Sequence, residues 1–259
     1  MPAPRSAWTS IERIVTLPLA TATLSGAFTN FFHDSSQSTA RVNPLIKAVI
    51  FDFGGVITTS PFEAFNRIEK ERGLPRDFVR TVNANNPDGN AWARLERSEI
   101  EPAVFDALFA EEAARLGHEL RGADVLRVLA GDIREEMVAA LDRLAAVGYR
   151  LGCITNNVRG ARGPGMASTQ EGASRFAEVF ARFDHVIESS QAGVRKPDPR
   201  IYRMMCEALD VAPAACVYLD DLGVNCKPAA AMGMHAIKVL SARQALDELG
   251  EALGIDLAG

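Results

Sequence analysis

Five short apolar runs constrain the fold of this chain more than any other feature of its sequence. They cover residues 48–51, 149–154, 185–187, 216–219 and 235–239, and stretches with helical periodicity lie between them. Apolar runs of this length, bounded by polar or turn residues, are typical of buried strands. Strands that alternate with helices indicate a parallel sheet covered by helices on both faces. The sequence therefore predicts an α/β fold with a doubly wound parallel sheet.

The helical stretches carry start and stop signals of their own. Pro199 follows Asp198 at the first position of a predicted helix, where a missing backbone N–H costs nothing. Ser241 and Gln244 have the spacing of a capping box and predict the start of the last helix. The helix that begins at Pro199 is predicted to extend to residue 209, and further helices are predicted over residues 134–147 and 228–232.

A long helical segment interrupts the alternation after the first strand. No convincing strand lies between the first strand and Arg134, whereas helical periods occur over residues 61–72, 101–116 and 123–129. A helical module in the first connection of a sheet indicates an inserted cap. We therefore predict a core domain formed by residues 46–60 and 131–259, with a helical cap domain over residues 61–130.

The composition limits the partners that such a chain can bind. The net charge of −5 provides no basic field for nucleic acid or anionic lipid, and no apolar run is long enough to span a membrane. The cysteines and histidines form no metal-binding spacing, which favours free thiols in a reducing cytoplasm. Residues 1–45 are rich in serine and threonine and resemble a poorly ordered or targeting-like extension. We expect a cytoplasmic monomer or homodimer.

Polar side chains gather where the predicted strands end. Asp52, Thr155 with Asn156, and Asp220 with Asp221 follow three strands, and Lys196 lies on the loop after another. Ligands of parallel sheets bind beyond the carboxyl ends of the strands. Three converging carboxylates repel one another unless a cation lies among them, and Mg²⁺ prefers oxygen ligands. A lysine and a hydroxyl beside them would bind an anion, so the pattern predicts phosphoryl transfer to the first aspartate.

Four segments resemble the four motifs of the haloacid dehalogenase-like (HAD) hydrolase superfamily. They are Phe-Asp-Phe-Gly-Gly-Val at 51–56, Ile-Thr-Asn-Asn at 154–157, Val-Arg-Lys-Pro-Asp at 194–198 and Tyr-Leu-Asp-Asp-Leu-Gly at 218–223. The segments occur in the order of the family motifs across residues 46–245. The stretch 220–229 is particularly similar to the branch that contains the N-terminal phosphatase domain of soluble epoxide hydrolases. The resemblance implies a Rossmann-like core with a cap and a Mg²⁺-dependent phosphatase of small phosphate esters.

The same resemblance implies a role for each matching residue. Asp52 would attack phosphorus and become an aspartyl phosphate. Thr155 and the backbone N–H of Asn156 would bind phosphoryl oxygens. Lys196 would neutralise the nucleophile and the charge that develops on the phosphoryl group. The substrate would be a small phosphorylated metabolite.

The resemblance also implies a set of metal ligands. A carboxylate oxygen of Asp52, the carbonyl of Gly54 and the carboxylate of Asp221 would hold Mg²⁺, with Asp220 as a ligand or a neighbouring acceptor. Phosphatases of the family usually carry a second aspartate at the place of Gly54, where it acts as a general acid and base. This chain lacks that side chain.

The missing acid leaves several functions open. The enzyme either recruits a cap residue or water as the acid, or prefers esters whose leaving group needs little protonation. One alternative is a carbon–halogen hydrolase, which needs neither the second aspartate nor a metal. Another is a catalytically impaired module that binds phosphate or a partner protein.

Overall fold

The computed structural model describes residues 46–158, 165–167 and 169–257. Its strands are β1 Ala48–Phe51, β2 Arg150–Thr155, β3 His185–Glu188, β4 Cys216–Asp220 and β5 His235–Lys238. They form one parallel sheet in the order β3-β2-β1-β4-β5, and each lies within one or two residues of a predicted run. The predicted fold class is confirmed. The extension predicted over residues 1–45 lies outside the described residues.

Eleven α-helices lie along the described part of the chain. Their bounds are α1 Pro61–Glu71, α2 Phe78–Ala84, α3 Ala91–Glu96, α4 Pro102–Arg115, α5 Gly122–Leu126, α6 Glu135–Ala146, α7 Gln170–Phe180, α8 Ser189–Ala192, α9 Pro199–Leu209, α10 Gly223–Ala231 and α11 Ala242–Leu253. The first six of them lie in the connection between β1 and β2. None of the described helices is both long and apolar enough to cross a membrane.

Both faces of the sheet are buried, as expected of a doubly wound fold. Val49 and Phe51 point into a cluster formed largely with α6, α7 and α11. Ala48 and Ile50, the alternate residues of β1, point into a second cluster that includes Tyr202 of α9. Because successive side chains of a strand face opposite sides, an unbroken apolar run is what a strand between two helical layers requires.

The helix signals of the sequence are confirmed with one correction. Ser241 and Gln244 form the capping box of α11, and Pro199 is the first residue of α9. The prediction for α10 was wrong at its start, since the helix begins at Gly223 and contains Pro228. The carboxylate of Asp220 accepts a hydrogen bond from the N–H of Leu222 at 2.8 Å, which turns the chain into the helix before the proline is reached.

Residues of the first connection form most of a further hydrophobic cluster, which Val158 from the segment after β2 joins. Phe65, Leu95, Phe105 and Phe109 are buried in it, together with residues of α2 and α5. The sequence did not predict α2 and α3, which are seven and six residues long. The exact boundaries of the cap and core domains stay a prediction.

Candidate active site

Asp52 follows β1 directly and lies among polar groups at the carboxyl edge of the sheet. Its own N–H bonds to the carbonyl of Leu219 on β4 at 2.8 Å, which continues the pairing of the two strands. Its Oδ1 accepts hydrogen bonds from the N–H of Phe53 at 2.6 Å and from Nζ of Lys196 at 2.7 Å. The side chain is therefore fixed in place and buried, with Oδ1 turned toward the lysine.

Asp220 ends β4 and is fully buried. Its Oδ2 lies 2.8 Å from Nζ of Lys196 and 2.5 Å from the hydroxyl of Tyr218. The amide of Asn225 donates to both carboxylate oxygens at 3.1 Å, and the N–H of Leu222 donates to Oδ1. Buried charges are retained where they are paired and hydrogen-bonded in this way. Both oxygens of Asp220 are thus occupied by donors of this chain.

Asp221 turns from the strand end toward the cavity. Its Oδ2 accepts a hydrogen bond from the hydroxyl of Ser60 at 3.0 Å. The turn after Asp52 passes very close to this carboxylate, and it does so at Gly55, whose φ is +79°. A Cβ on Gly55 would lie 2.2 Å from Oδ2 of Asp221. Only glycine fits here, because both the backbone angle and the space exclude a side chain.

The close approach at Gly55 gives a testable expectation for stability. Gly55→Ala should lower the free energy of unfolding by about 2 kcal/mol or more, because a left-handed backbone and a steric clash add at one position. Urea unfolding would measure it. Gly54→Ala is the matched control, since Gly54 has an ordinary φ of −70° and no heavy atom beyond its two chain neighbours lies within 4 Å of the place that its Cβ would take. Equal stability of the two variants would contradict the expectation.

Lys196 bridges the acids from the loop before α9. Its side chain is 1% exposed and its ammonium contacts both Asp52 and Asp220. Burial alone would lower the pKa of Lys196, but the charges of Asp220 and Asp52 raise it above its usual value, so the ammonium stays protonated. Asn156 holds the backbone of this loop, accepting from the N–H of Lys196 at 2.9 Å and donating to its carbonyl at 3.2 Å.

Two of the acids, Asp52 and Asp221, are harder to ionise than free carboxylic acids. Burial raises the pKa of Asp52 well above its usual value, and the charges of Asp220 and Asp221 add to the effect although Lys196 opposes it. Burial, followed by the charge of Asp220, raises the pKa of Asp221 to about 6. With Asp52, Asp220 and Asp221 all ionised, the cluster would carry more negative charge than the ammonium of Lys196 balances, and this cost of ionisation is what the raised pKa values express.

The three acids are close enough together to act on one ion. Asp52, Asp220 and Asp221 each offer an oxygen, and these oxygens lie within 4.8 Å of one another. Carboxylate oxygens suit a hard cation such as Mg²⁺. The three carboxylates are not equally free to bind an ion, however. Asp220 is saturated by hydrogen bonds within the chain, whereas Asp52 and Asp221 line the open cavity.

A cavity of about 670 Å³ opens above the acids. The predicted residues Gly54, Thr155, Asn156 and Lys196 line it beside Asp52 and Asp221, so the structure brings all seven predicted site residues to one edge of the sheet. Its walls come mostly from the first connection and from the loop after β2. They are largely apolar and aromatic, and they include Phe62, Phe65, Trp92, Leu129, Val158 and Met166.

Several residues of the site were not identified from the sequence. Ser60, Tyr218 and Asn225 hold the acids, and Glu96 joins the first connection to the loop of Lys196. Asn225 lies inside the stretch 220–229, and Tyr218 lies in the motif at 218–223. Both residues were therefore part of the resemblance, but the sequence did not predict that they bind Asp220. Glu96 has no motif around it that could have marked it.

Residues 46–233 match the family model of haloacid dehalogenase-like hydrolases. The chain is 30% identical over 230 residues to bifunctional epoxide hydrolase 2 of Sus scrofa, a match that covers 82% of this chain and 40% of that protein. It is also 30% identical over 209 residues to a plasmid phosphoglycolate phosphatase of Cupriavidus necator, covering 75% of this chain and 81% of that protein. The chain spans two fifths or less of the length of the first four curated relatives that it matches.

A solved structure shares the fold. The crystal structure of a dehalogenase with an intermediate complex aligns with a TM-score of 0.56 at 18% identity, covering 82% of this chain and 98% of that one. At this identity the likeness concerns the arrangement of strands and helices alone.

Proposed function

We propose a function from the premise that this chain belongs to the haloacid dehalogenase-like hydrolase family. The proposed function is that of a Mg²⁺-dependent phosphatase of small phosphate esters with an apolar organic group. Membership rests on the family match and confirms the resemblance of the four motifs, and with it the prediction of a hydrolase. The metal, the phosphate ester and the residue roles are the proposal. A small phosphorylated metabolite in the cytoplasm remains the proposed partner.

The charge of the acid cluster is the observation that supports this proposal. Asp52, Asp220 and Asp221 lie together with one buried ammonium, that of Lys196. When all three acids are ionised, the cluster lacks two positive charges. A divalent cation would supply them, and a phosphoryl group is the ligand that such a cation and a lysine bind together. A carbon–halogen hydrolase has no need for the third acid, which argues against that alternative.

The proposed metal ligands are Asp52, Asp221 and the carbonyl of Gly54. Asp220 is proposed to hold Lys196 instead, because its oxygens already accept hydrogen bonds from this chain. When bound, the cation would neutralise phosphoryl oxygens and help to fix the phosphoryl group in line with the nucleophile.

The chemistry of the chain itself follows from these positions. An oxygen of Asp52 forms a bond to phosphorus while the ester P–O bond breaks, and the departing oxygen takes a proton from water. Lys196 and the hydroxyl of Thr155 stabilise the negative charge on the phosphoryl oxygens. Water then attacks phosphorus, and the bond between phosphorus and Asp52 breaks. The proton that this water loses neutralises the hydroxide left by the first step, inorganic phosphate is released, and the carboxylate of Asp52 is restored. Asn156 keeps Lys196 in place through the two backbone hydrogen bonds.

The walls of the cavity support an apolar organic group on the phosphate. Trp92 packs edge-to-face against Phe65 and Phe105, and Phe62 against Phe65. A volume of about 670 Å³ is large for a phosphate alone and falls in the range of drug-sized ligand sites. Aromatic walls of this kind favour aryl or similarly apolar esters over sugar phosphates.

A panel of phosphate esters tests the proposal. The purified protein should release phosphate from p-nitrophenyl phosphate in the presence of Mg²⁺ and lose this activity with EDTA. Failure to hydrolyse any activated phosphate ester would contradict the proposal and favour the binding module. Release of chloride from 2-chloropropionate without a metal would favour the carbon–halogen hydrolase.

Protons should compete with Mg²⁺ for the acid cluster. Asp52 and Asp221 must be ionised to bind a cation, and the pKa of Asp221 is raised to about 6 by burial and by Asp220. We expect Mg²⁺ to raise the Tm at about pH 7.5 and to have a much smaller effect at about pH 5, where Asp221 is protonated. Thermal unfolding at both pH values, with Mg²⁺ or EDTA, measures it. An Mg²⁺ effect of equal size at both pH values would contradict it.

A further inference from the structure

Glu96, the last residue of α3, is a buried carboxylate that joins the first connection to the catalytic loop. Its Oε1 accepts a hydrogen bond from the indole N–H of Trp92 at 2.9 Å. Its Oε2 lies 2.5 Å from Nε of Arg195 and 3.4 Å from the side-chain amide of Asn156. Its backbone carbonyl accepts a further hydrogen bond from the hydroxyl of Ser189. One side chain thus contacts a cavity wall and the support of the catalytic lysine.

The contacts form a continuous series from the cavity wall to the nucleophile. Trp92 lines the cavity and bonds to Glu96, and Glu96 contacts Asn156. Asn156 holds both backbone polar groups of Lys196, and Lys196 contacts Asp52. Each link is a hydrogen bond or an ion pair between buried or half-buried groups, where such contacts are stronger than in water.

Arg195 and Lys196 are neighbours in the loop before α9, but their side chains contact different regions, the first connection and the edge of the sheet. Arg195 reaches the first connection, where it contacts Glu96 and donates to the carbonyl of Pro87 at 3.2 Å. Lys196 reaches the acids at the edge of the sheet. Because the two residues are adjacent, a displacement of Arg195 also displaces the backbone that carries Lys196.

We propose that Glu96 is a positioning residue that couples the Trp92 wall of the substrate cavity to the placement of Lys196. This inference rests on the proposed phosphatase function. An organic group that packs against Trp92 fixes the indole, and through Glu96 it fixes the loop of Lys196. The contact of a remote part of the substrate then favours the transition state, so it raises kcat as well as lowering KM.

Two variants separate the steps of this coupling. Glu96→Gln keeps an acceptor for the indole but removes the charge that faces Arg195. Trp92→Phe keeps an aromatic wall but removes the hydrogen bond to Glu96. Glu99→Gln is the control, because Glu99 is a half-exposed acid of the same region that pairs with Arg97 outside the site.

The measurement compares p-nitrophenyl phosphate, which has a ring, with acetyl phosphate, which has none. Glu96→Gln should lower kcat for both substrates by about 10-fold to 100-fold with a small change in KM, because a shift of the lysine by about 1 Å costs this much. Trp92→Phe should lower kcat for the aryl ester alone. It should have no further effect in the Glu96→Gln background, because the loop of Lys196 is then already released. The Tm of each variant is measured alongside, so that kcat refers to folded protein.

The outcomes distinguish this inference from the function on which it rests. Wild-type kcat values in a Glu96→Gln variant, even with a lowered Tm, would show a purely structural residue and overturn the inference while the phosphatase function stands. Independent, multiplying effects of Trp92→Phe and Glu96→Gln would also overturn it. A wild-type protein inactive toward both phosphate compounds would overturn the proposed function itself.

Discussion

Asp52→Asn is expected to abolish phosphate ester hydrolysis and, in the absence of a divalent cation, to raise the Tm of the protein. The loss of activity follows from the removal of the nucleophile, and we expect kcat to fall by about 10⁴-fold or more. Phosphate release from p-nitrophenyl phosphate measures the first effect, and thermal unfolding in EDTA measures the second.

The gain in stability follows from the sign of the pKa shift. Burial and the charges of Asp220 and Asp221 raise the pKa of Asp52 in the folded state above its value in the unfolded chain, although Lys196 opposes the shift. An acid with a raised folded pKa opposes folding once the pH exceeds its unfolded pKa, because ionisation costs more in the folded protein. Asparagine has the same shape without the charge. The difference in Tm should therefore grow from acidic to neutral pH.

Mg²⁺ should reverse the order of the two proteins. The wild type gains stability from the bound ion, whereas the variant lacks one of its proposed ligands and should gain little. Asp247→Asn is the control, since Asp247 is half-exposed, pairs with Arg243 and lies on α11 away from the acids. A variant that retains hydrolysis, or that is less stable than the wild type in EDTA at neutral pH, would refute the electrostatic description of the cluster.

The position of the site could be predicted because it follows from topology. Asp52 and Asp220 flank the ends of adjacent strands, and parallel pairing of Phe51 with Leu219 brings them to the same edge. The runs that form these strands are apolar on both faces, which is a local property of the sequence. The same reasoning placed Thr155 at the end of β2. The apolar runs therefore predict the strands, and the ends of the strands predict the position of the site.

The different roles of Asp220 and Asp221 could not be predicted in the same way. Asp220 and Asp221 are adjacent and chemically identical, and only the contacts of Tyr218 and Asn225 show that the first is already occupied. Glu96 contacts Arg195 from a helix of six residues that has too little periodicity to be recognised. Such roles depend on packing between segments that lie far apart in the sequence.

Gly54 marks the departure from the usual phosphatase pattern, and the structure shows that the absent side chain would fit. The φ and ψ of Gly54 are −70° and 127°, values that any residue adopts, and no heavy atom beyond its two chain neighbours lies within 4 Å of the place of a Cβ. Gly54 also lines the cavity. Neither the backbone nor the packing therefore requires a glycine here, in contrast to Gly55.

Gly54→Asp should accelerate the hydrolysis of alkyl phosphates by about 10²-fold or more, because a general acid protonates the leaving oxygen. Aryl phosphates with acidic leaving groups should change little, since their oxygen departs without a proton. The new carboxyl would lie near other acids, and their charges would favour its protonated form, which is the form that a proton donor needs.

Kinetics over a series of leaving groups would separate this effect from a change in binding. The wild type should show log kcat falling as the pKa of the leaving alcohol rises, and Gly54→Asp should flatten this dependence. Gly54→Asn is the matched control, because it has the same size and the same backbone demands but transfers no proton. If Gly54→Asn accelerates the hydrolysis of alkyl phosphates as much as Gly54→Asp, the increase in rate comes from packing of the new side chain and not from proton transfer. If neither accelerates them, protonation of the leaving group is not what limits this enzyme, and water or a cap residue already supplies the proton.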